Sequence, residues 1–451
     1  MSTPFVHVLV INWNGREHLE ACFESLIKQT YENLRIVLLD NASTDGSVEY
    51  VQERFGSDPR VEILECGENL GWSRANNVGM ERALGAGADY IFLLNNDTST
   101  APDAVERLVE FARVHPKAGA IAPKMLLFDQ PWLINSVGIA CTIVGGAWDE
   151  GLGRVDGPRW AEPKQVLGVC GGAMFLRADA LRAVGLLPGD FEIYLDDLDL
   201  CLRIWDAGYE CWSCPSAAVR HKFSATMGEG ARAHRKYYLN TRNRARLMLR
   251  NFPSGRFVGI VAHYAVSEIR AVGRAAASGA VWKAVAHVRS WIAALAYVPK
   301  AVRHRRSVAA KSRAIGTFWG LVRADRHFFP GIELPKRGWY TPIQRDWTAQ
   351  GHSEDVQVHP ISSCATADVP AGELSVTHAN CYPQLGATRI ELRLNGRAIA
   401  ALRSDGSPRT ERFETEGGTL EFFARAIFEA ESTGERYDIG GWVALDKPNT
   451  Q

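Results

Sequence analysis

Carboxamides and carboxylates recur in this sequence at the ends of apolar runs. Tyr90-Ile-Phe-Leu-Leu94 is followed at once by Asn95, Asn96 and Asp97. Asp40 and Asn41 close Leu34–Leu39, Asn12-Trp-Asn-Gly15 follows Phe5–Ile11, and Val61–Leu64 leads into Gly67-Glu-Asn-Leu-Gly71. An acid that closes a buried strand needs a partner, because an unpaired charge out of water is costly. Asp97 offers a hard oxygen of the kind that suits Mg2+ or Mn2+, and Mg2+ is commonly held by one or two carboxylates together with substrate phosphates. No GxGxxG follows the first apolar run, and no glycine loop with Lys and Ser/Thr is present. A phosphate-bearing ligand would therefore depend on such a cation. Asn, Asp and Gly also dominate ordinary turns, and Asp45-Gly46 fits a turn and helix cap better than a ligand site.

A second group lies further on. Asp196, Asp197 and Asp199 fall within four positions at the start of an amphipathic pattern (Leu198, Leu202, Trp205). Helix capping and dipole compensation account for one or two of them. Three crowded acids also repel one another, which raises the pKa of one toward that of a general base. Gly168–Leu176 reads as a strand interrupted by glycines, a mark of close approach by a ligand or backbone. Val219–Phe223 ends another strand and contributes His221, although a lone His is more often structural. Cys211-Trp-Ser-Cys214 superficially resembles a redox or zinc pair, but residues three apart on a strand face opposite sides, so core cysteines are expected.

The elements that must position these residues alternate. Strands at Phe5–Ile11, Leu34–Leu39, Val61–Leu64 and Tyr90–Leu94 are separated by helical patterns at Arg16–Gln29, Asp45–Phe55 and Ser73–Leu84. That order predicts an α/β domain with a parallel sheet and helices on both faces. Ligands in such sheets bind beyond the carboxyl ends of the strands, where the polar residues stand.

The stretches "VLVINWNGREHLEACFESLIKQTYENLRIVLLDNASTDGS", "ENLGWSRANNVGMERAL", "YIFLLNNDT", "GGAMFLR", "LDDLDLCLR" and "AVRHKFSAT" occur in that order. Together they resemble family 2 glycosyltransferases of the rhamnosyltransferase-like branch, over about residues 5–245. The resemblance implies a GT-A fold and inverting sugar transfer from a nucleoside diphosphate donor, assisted by Mg2+ or Mn2+. It places Asp40 on the uracil or thymine base, with Asn12 and Asn41 nearby, and Asn69, Gly71, Arg74 and Asn77 along the ribose and diphosphate. Asn95-Asn96-Asp97 becomes the counterpart of the DxD motif with Asp97 as metal ligand, and His221 resembles the second metal-site residue. Asp197 aligns with the catalytic base. Trp72, Gly171, Gly172 and Asp196 fall on the sugar and acceptor side, and Arg242, in a Tyr-rich Arg-Asn segment, joins Arg74 near the diphosphate. Two departures stand out: Asp196-Asp197 replaces the usual Glu-Asp pair, and the DxD counterpart keeps one carboxylate.

At 451 residues the chain exceeds one hydrophobic core, and its 46% hydrophobic and 23% charged composition is that of a globular protein. A zero formal net charge conceals strong asymmetry. Residues 1–230 carry 19 Lys/Arg against 32 Asp/Glu, and residues 231–326 carry 20 against two, Glu268 and Asp325. The expected division is a GT-A domain over 1–245, a basic amphipathic helical segment over 246–330, a linker over 331–342 and a β-rich domain over 343–451. Basic helices bearing Trp282, Trp291 and Tyr297 suit an anionic membrane surface, or else a solvated pair packed on the catalytic domain. Nucleic acid is not expected, because no recognition motif accompanies the charge. Nine cysteines form no disulfide framework, there is no signal-peptide pattern, and no window has the ~18 apolar residues of a spanning helix. A cytoplasmic protein, peripheral on the inner face of the membrane, follows. Asn395-Gly396 between alternating runs signals a hairpin in a small β-sandwich. This last unit would bind glycan, mediate dimerisation or cover a surface.

The expectation is therefore an inverting glycosyltransferase using a dTDP- or UDP-sugar, rhamnose favoured, on a lipid-linked or surface glycan. Two rivals are a non-catalytic nucleotide- or glycan-binding scaffold, against which Asp197 counts, and a nucleotidyltransferase, which would want a glycine-rich Lys/Arg signature near the N-terminus.

Overall fold

The computed structural model describes residues 3–128, 131, 134–152, 156, 160–222, 231–309 and 317–323, then 358–361, 364–380, 388–404, 409–424, 427–429, 436–438 and 441–446. They divide into two compact units, one holding nearly all of the chain up to residue 330 and the other chiefly residues 331–451.

The first unit runs β1 (Val6–Asn12), α1 (Arg16–Ile27), β2 (Leu34–Asp40), α2 (Ser47–Phe55), β3 (Val61–Glu65), α3 (Trp72–Gly85), β4 (Tyr90–Asn95), β5 (Thr98–Thr100), α4 (Ala104–Val114), β6 (Ala118–Leu127), β7 (Ile134–Ser136), β8 (Ile139–Cys141), β9 (Ala147–Asp149), β10 (Ala173–Arg177), α5 (Ala178–Val184), α6 (Asp196–Asp206), β11 (Glu210–His221), α7 (Ala231–Asn251), α8 (Phe257–Ala277) and α9 (Val281–Ala309). The main sheet has the order β3-β2-β1-β4-β10-β6-β11-β5, with β7 on β6. Strands β1 to β4 pair in parallel, as their alternation with helices requires, and β10 then runs antiparallel to both β4 and β6. This is the mixed sheet of the expected GT-A domain. Val8, Val10, Ile36, Leu38 and Phe92 pack into one layer, and Leu9, Val37, Ile91 and Leu93 into the other. Burial on both faces explains why these strands read as continuous apolar runs. Cys211 and Cys214 are divided between the same two layers, which makes them core residues.

The structure corrects one reading. Gly168–Leu176 is not strand throughout: the ladder holds only Ala173–Arg177, and Gly171 and Gly172 form a turn before it. The helical part also begins earlier than residue 246, because α7 starts at Ala231 and crosses that boundary in the same compact unit as the sheet. Asp199, fully buried, ties it there. It pairs with Arg203 at 2.9 Å and with Arg250 of α7 at 2.6 Å, and accepts a hydrogen bond from Asn251 at 2.7 Å. Burial opposes its ionisation, but Arg250 and Arg203 more than offset this and hold the carboxyl well below its ordinary range.

In the second unit, β12 (Val358–Ile361), β13 (Cys364–Asn380), β14 (Thr388–Leu394), β15 (Arg397–Ser404), β16 (Arg409–Ala424) and β19 (Gly441–Asp446) form one antiparallel sheet, and β17 (Ile427–Glu429) pairs with β18 (Arg436–Asp438) apart from it. Asn395 (φ 51°) and Gly396 (φ 79°) are both left-handed, the conformation a two-residue type I′ hairpin needs. The linker expected over 331–342 lies outside the described residues.

Replacing Asp199 strands two buried guanidinium groups. Asp199→Ala is expected to lose about 3–5 kcal/mol of stability, measured by chemical denaturation.

Candidate active site

Register assembles the strand ends. Asn12 stands opposite Asp40 in the β1–β2 ladder and Ile11 opposite Asn95 in β1–β4, so Asn96 reaches Asn12. The Asn12 amide donates to Asp40 (3.3 Å) and Ser43 (3.0 Å), and its carbonyl accepts from Asn96 (2.6 Å). Asn41 donates to Asn69 (3.1 Å) and accepts from the Leu70 amide (2.8 Å), and Asn69 in turn accepts from Gly71 N–H (2.9 Å). Gly71, at φ 77°, opens α3. Asn12, Asp40, Asn41, Asn69, Gly71 and Asn96 thus form one polar rim across β1 to β4.

Trp72 links this rim to a cavity of about 290 Å3 by donating its indole N–H to Asn95 (3.1 Å). The cavity gathers eight of the expected residues: Trp72, Asn95, Asp97, Gly171, Gly172, Asp196, Asp197 and His221. A Cβ on Gly171 would come within 2.6 Å of the Trp72 ring, and one on Gly172 within 3.3 Å of the His221 ring. The glycines are there because the tryptophan, the histidine and the Asp197 carboxylate close in on the backbone. Trp148, Asp149, Tyr194, Lys236 and Asn240 also line the cavity. Sequence reasoning missed all five.

Three expected ligand residues also hold protein groups. Asn77 uses both ends of its carboxamide on the Leu187 backbone (2.9 and 3.0 Å), and Arg74 donates to Gly189 O (3.1 Å). Arg242 pairs with Glu192 (2.8 Å) and donates to Phe191 O (3.0 Å), so its charge is balanced by a neighbouring acid instead of standing open to a diphosphate. All three grip the segment that leads into α6. Glu192, Tyr194 and Leu195 in that segment have φ of 69°, 73° and 62°, conformations that cost side-chain-bearing residues of order 1–3 kcal/mol each. The Asn243 amide nitrogen lies within 3.0 Å of the Phe191, Ile193 and Tyr194 carbonyl oxygens and fixes the shape.

The segment delivers Asp196 and Asp197. Asp196 is buried and accepts from Ser73 Oγ, while Asp197 accepts from the Gly171 and Leu198 amides at 2.9 and 2.7 Å. Burial pushes both carboxyls above their ordinary range. Asp196 and Asp149 push Asp197 further, and the backbone hydrogen bonds only partly oppose this. Their protons come off as a pair. Asp149 is likewise held up by burial.

Across the cavity, β11 pairs antiparallel with β5, and the Lys222 amide donates to Asp97 O (3.0 Å), which brings His221 beside Asp97. His221 Nδ1 lies 2.7 Å from Asn135 Oδ1, and Nε2 lies 3.2 Å from Asp97 Oδ1. Burial disfavours the Asp97 carboxylate, but His221, with His18, lowers its pKa below the ordinary value. A carboxylate oxygen and an imidazole nitrogen side by side are ligand types that a divalent cation accepts. Among the described residues no three His, Cys, Asp or Glu side chains could hold one unaided. Asp97 and His221 therefore fit a cation completed by substrate phosphates.

Residues 7–185 match the model of glycosyl transferase family 2. The domain is a family 2 glycosyltransferase. This glycosyltransferase is 28% identical over 255 residues to the N-acetylglucosaminyl-diphospho-decaprenol L-rhamnosyltransferase of Mycobacterium tuberculosis, covering 51% of the chain and 80% of that relative. It is 32% identical over 108 residues to glycosyltransferase GlyG of Streptococcus pneumoniae, 24% of this chain and 35% of that one. Solved structures overlay in part: a mannosyltransferase from Pyrobaculum calidifontis in complex with GDP-Man and Mn2+ (17% identity, 68% of this chain and 88% of that chain, TM-score 0.42), and GalNAc-T7 with UDP, GalNAc and Mn2+ (15%, 59% and 50%, TM-score 0.47).

A carboxyl whose pKa rises on folding binds its proton more tightly in the native state. Its contribution to stability is present at low pH and lost as pH rises through the native pKa. Asp197→Asn removes that loss, so the stability of the variant relative to wild type should rise between pH 5 and 8 by about 1–3 kcal/mol. Thermal denaturation at both pH values checks it, and a flat difference would mean that Asp197 has an ordinary pKa.

Proposed function

We propose that the glycosyltransferase moves a sugar, rhamnose in the favoured case, from a dTDP- or UDP-sugar to a hydroxyl of a lipid-linked or surface glycan, with inversion. The observation that carries this reading is a single cavity with a proton-avid carboxylate, Asp197, and a cation-suited pair, Asp97 and His221, on its walls. Asp197 takes the proton of the acceptor hydroxyl as that oxygen attacks the anomeric carbon, and the bond to the diphosphate breaks on the opposite face. Mg2+ or Mn2+ at Asp97 and His221 would supply positive charge for the departing diphosphate. The rim of Asn12, Asp40, Asn41 and Asn69 takes the base and ribose, and Gly71 gives the backbone a close approach. Asp196 is too deeply buried to meet the acceptor directly and acts by raising Asp197. Trp148 and Lys236 form the acceptor wall. That a relative carries the name of an L-rhamnosyltransferase acting on a diphospho-decaprenol sugar supports both the donor and the lipid acceptor.

The helices supply a further argument for a lipid acceptor. No described helix is long and apolar enough to cross a membrane. On α9, however, Val281, Val285, Val288, Ile292, Leu295 and Val302 are exposed at helical spacing, and Val258, Val261 and Ile269 are exposed on α8. Arg289, Lys300, Arg303 and Arg306 stand among them. Apolar side chains flanked by cations suit an anionic leaflet, where each basic residue adds about 1 kcal/mol. The reading is thus of a peripheral protein on the inner face of the cytoplasmic membrane. Replacing Ile292 and Leu295 by Glu should abolish flotation with vesicles containing phosphatidylglycerol, and unchanged flotation would reject that contact.

Nucleoside diphosphate release from a panel of dTDP- and UDP-sugars, with Mn2+, Mg2+ or EDTA, tests the chemistry. Asp97→Ala should remove the response to metal. Asp197→Asn should slow acceptor-dependent transfer by about 10²–10⁴-fold, and the wild-type rate should fall as pH drops through the raised Asp197 pKa, above the ordinary carboxylate range. Release that ignores both substitutions would overturn the assignment.

A further inference from the structure

A second cavity, of about 560 Å3, lies between α7, α8 and α9 and shares no lining residue with the first. Arg244, Arg274 and Lys283 line it together with Tyr237, Ser267 and Ser278; the Tyr237 hydroxyl lies 2.8 Å from His287 Nε2, and Ser278 Oγ donates to Ala275 O at 3.2 Å. Glu268, the one acid in α7, α8 and α9, is fully buried beside it and already engaged: Arg244 pairs with it, and His287 (2.7 Å) and Trp291 (2.9 Å) hydrogen-bond to it. Its charge is balanced by Arg244. Arg274 and Lys283 form no ion pair among the described residues, so the cavity keeps two uncompensated cations, with Ser267 also on its wall. Two cations and several donors around a space this large fit a phosphate or diphosphate group.

The surroundings bear on what carries the phosphate. Val266 and Ile269 on α8, and Val281, Val285 and Val288 on α9, are exposed and interleave with the lining positions Ser267, Arg274 and Lys283. A phosphate held between the helices would therefore have apolar surface next to it. Helix α7 also walls both cavities: Lys236 and Asn240 face the catalytic one, Tyr237 and Arg244 the helical one. We propose that this cavity is a binding site for the phosphate or diphosphate head of an amphipathic ligand, separate from the donor site. The proposal extends the lipid-acceptor part of the functional reading and does not depend on the sugar or on the base.

Calorimetric titration of the full-length protein with sodium pyrophosphate, in EDTA to suppress cation-dependent binding at Asp97 and His221, provides the test. Wild type should bind, and the Arg274→Ser/Lys283→Ser double variant should bind about tenfold more weakly or worse, as expected from the loss of charged hydrogen bonds. Both substituted side chains are at least partly exposed, so the fold should survive, and circular dichroism verifies that. Vesicles of phosphatidylcholine with phosphatidic acid are then added as competitor. Competition would support the lipid-borne phosphate, whereas binding without competition would mark a soluble phosphate and overturn the amphipathic ligand. No binding by wild type, or equal binding by the variant, overturns it. Nucleotide release by wild type is read separately, so failure of the donor chemistry and failure of this site remain distinguishable.

Discussion

The placement of Asp196 and Asp197 depends on one buried side chain that does not itself line their cavity. Asn243 holds three carbonyl groups of a segment in which Glu192, Tyr194 and Leu195 all adopt left-handed backbone. Without such over-determination the segment would relax, because each of these conformations is costly to a residue with a Cβ. Relaxation would withdraw Asp196 and Asp197 from the cavity, since both begin the helix that the segment feeds. Asn243 is buried, so its hydrogen bonds face little competition from water. Arg242, Arg74 and Asn77 grip the same segment from two other directions. The carboxylate proposed as base is thus positioned by a helix outside the sheet, and α7 lies in the same compact unit as that sheet.

Three acids within four residues diverge because their surroundings do. Asp199 faces Arg203 and Arg250 and is held ionised. Asp196 is buried like Asp199 and Asp197 is partly buried, yet among the described residues no cation is salt-bridged to either, and burial, with repulsion from neighbouring acids, keeps their protons on to higher pH. Asp97 is the fourth case: buried, but lowered by His221. One carboxylate suited to accept a proton and one suited to meet a cation coexist in the same cavity because each has a different nearest charge.

Much of this was legible in the sequence. The strands β1 to β4 and the helices between them fall within one or two residues of their expected bounds, since fully buried strands and amphipathic helices leave strong local signals. The polar rim was legible too, because parallel register aligns strand ends that are distant in sequence. What could not be read is long-range and unrepeated. Asn135, which turns the His221 ring, comes from a three-residue strand with no pattern of its own. Asp149 and Lys236 reach the cavity from β9 and α7, and Asn243 does not line it. Arg242 and Asn77 carry the residue types of a ligand site, and only their partners, Glu192 and the Leu187 backbone, show what they hold. The glycines at 171 and 172 announced a close approach, but not that the approaching groups were an indole and an imidazole.

The uneven charge of the chain follows from the same chemistry. The strand-end domain bears a large excess of acids over residues 1–230, while a nucleotide-sugar donor carries its charge on the diphosphate. Like charge does not assemble in a partly dry cleft unless something intervenes. Arg242 is balanced by Glu192, while the exposed Arg74 gives one N–H to Gly189 O and keeps its charge, and neither residue lines the cavity. In the proposed reaction a cation held by Asp97 and His221 would supply positive charge at the cavity. The basic helices answer the opposite need. Their cations gather on α8 and α9, away from the donor rim and beside exposed apolar positions, where an anionic amphipathic partner gains from both. Charge separation along the chain therefore separates the two kinds of anion the proposed reaction must bring together, one approached through a cation and the other through side chains.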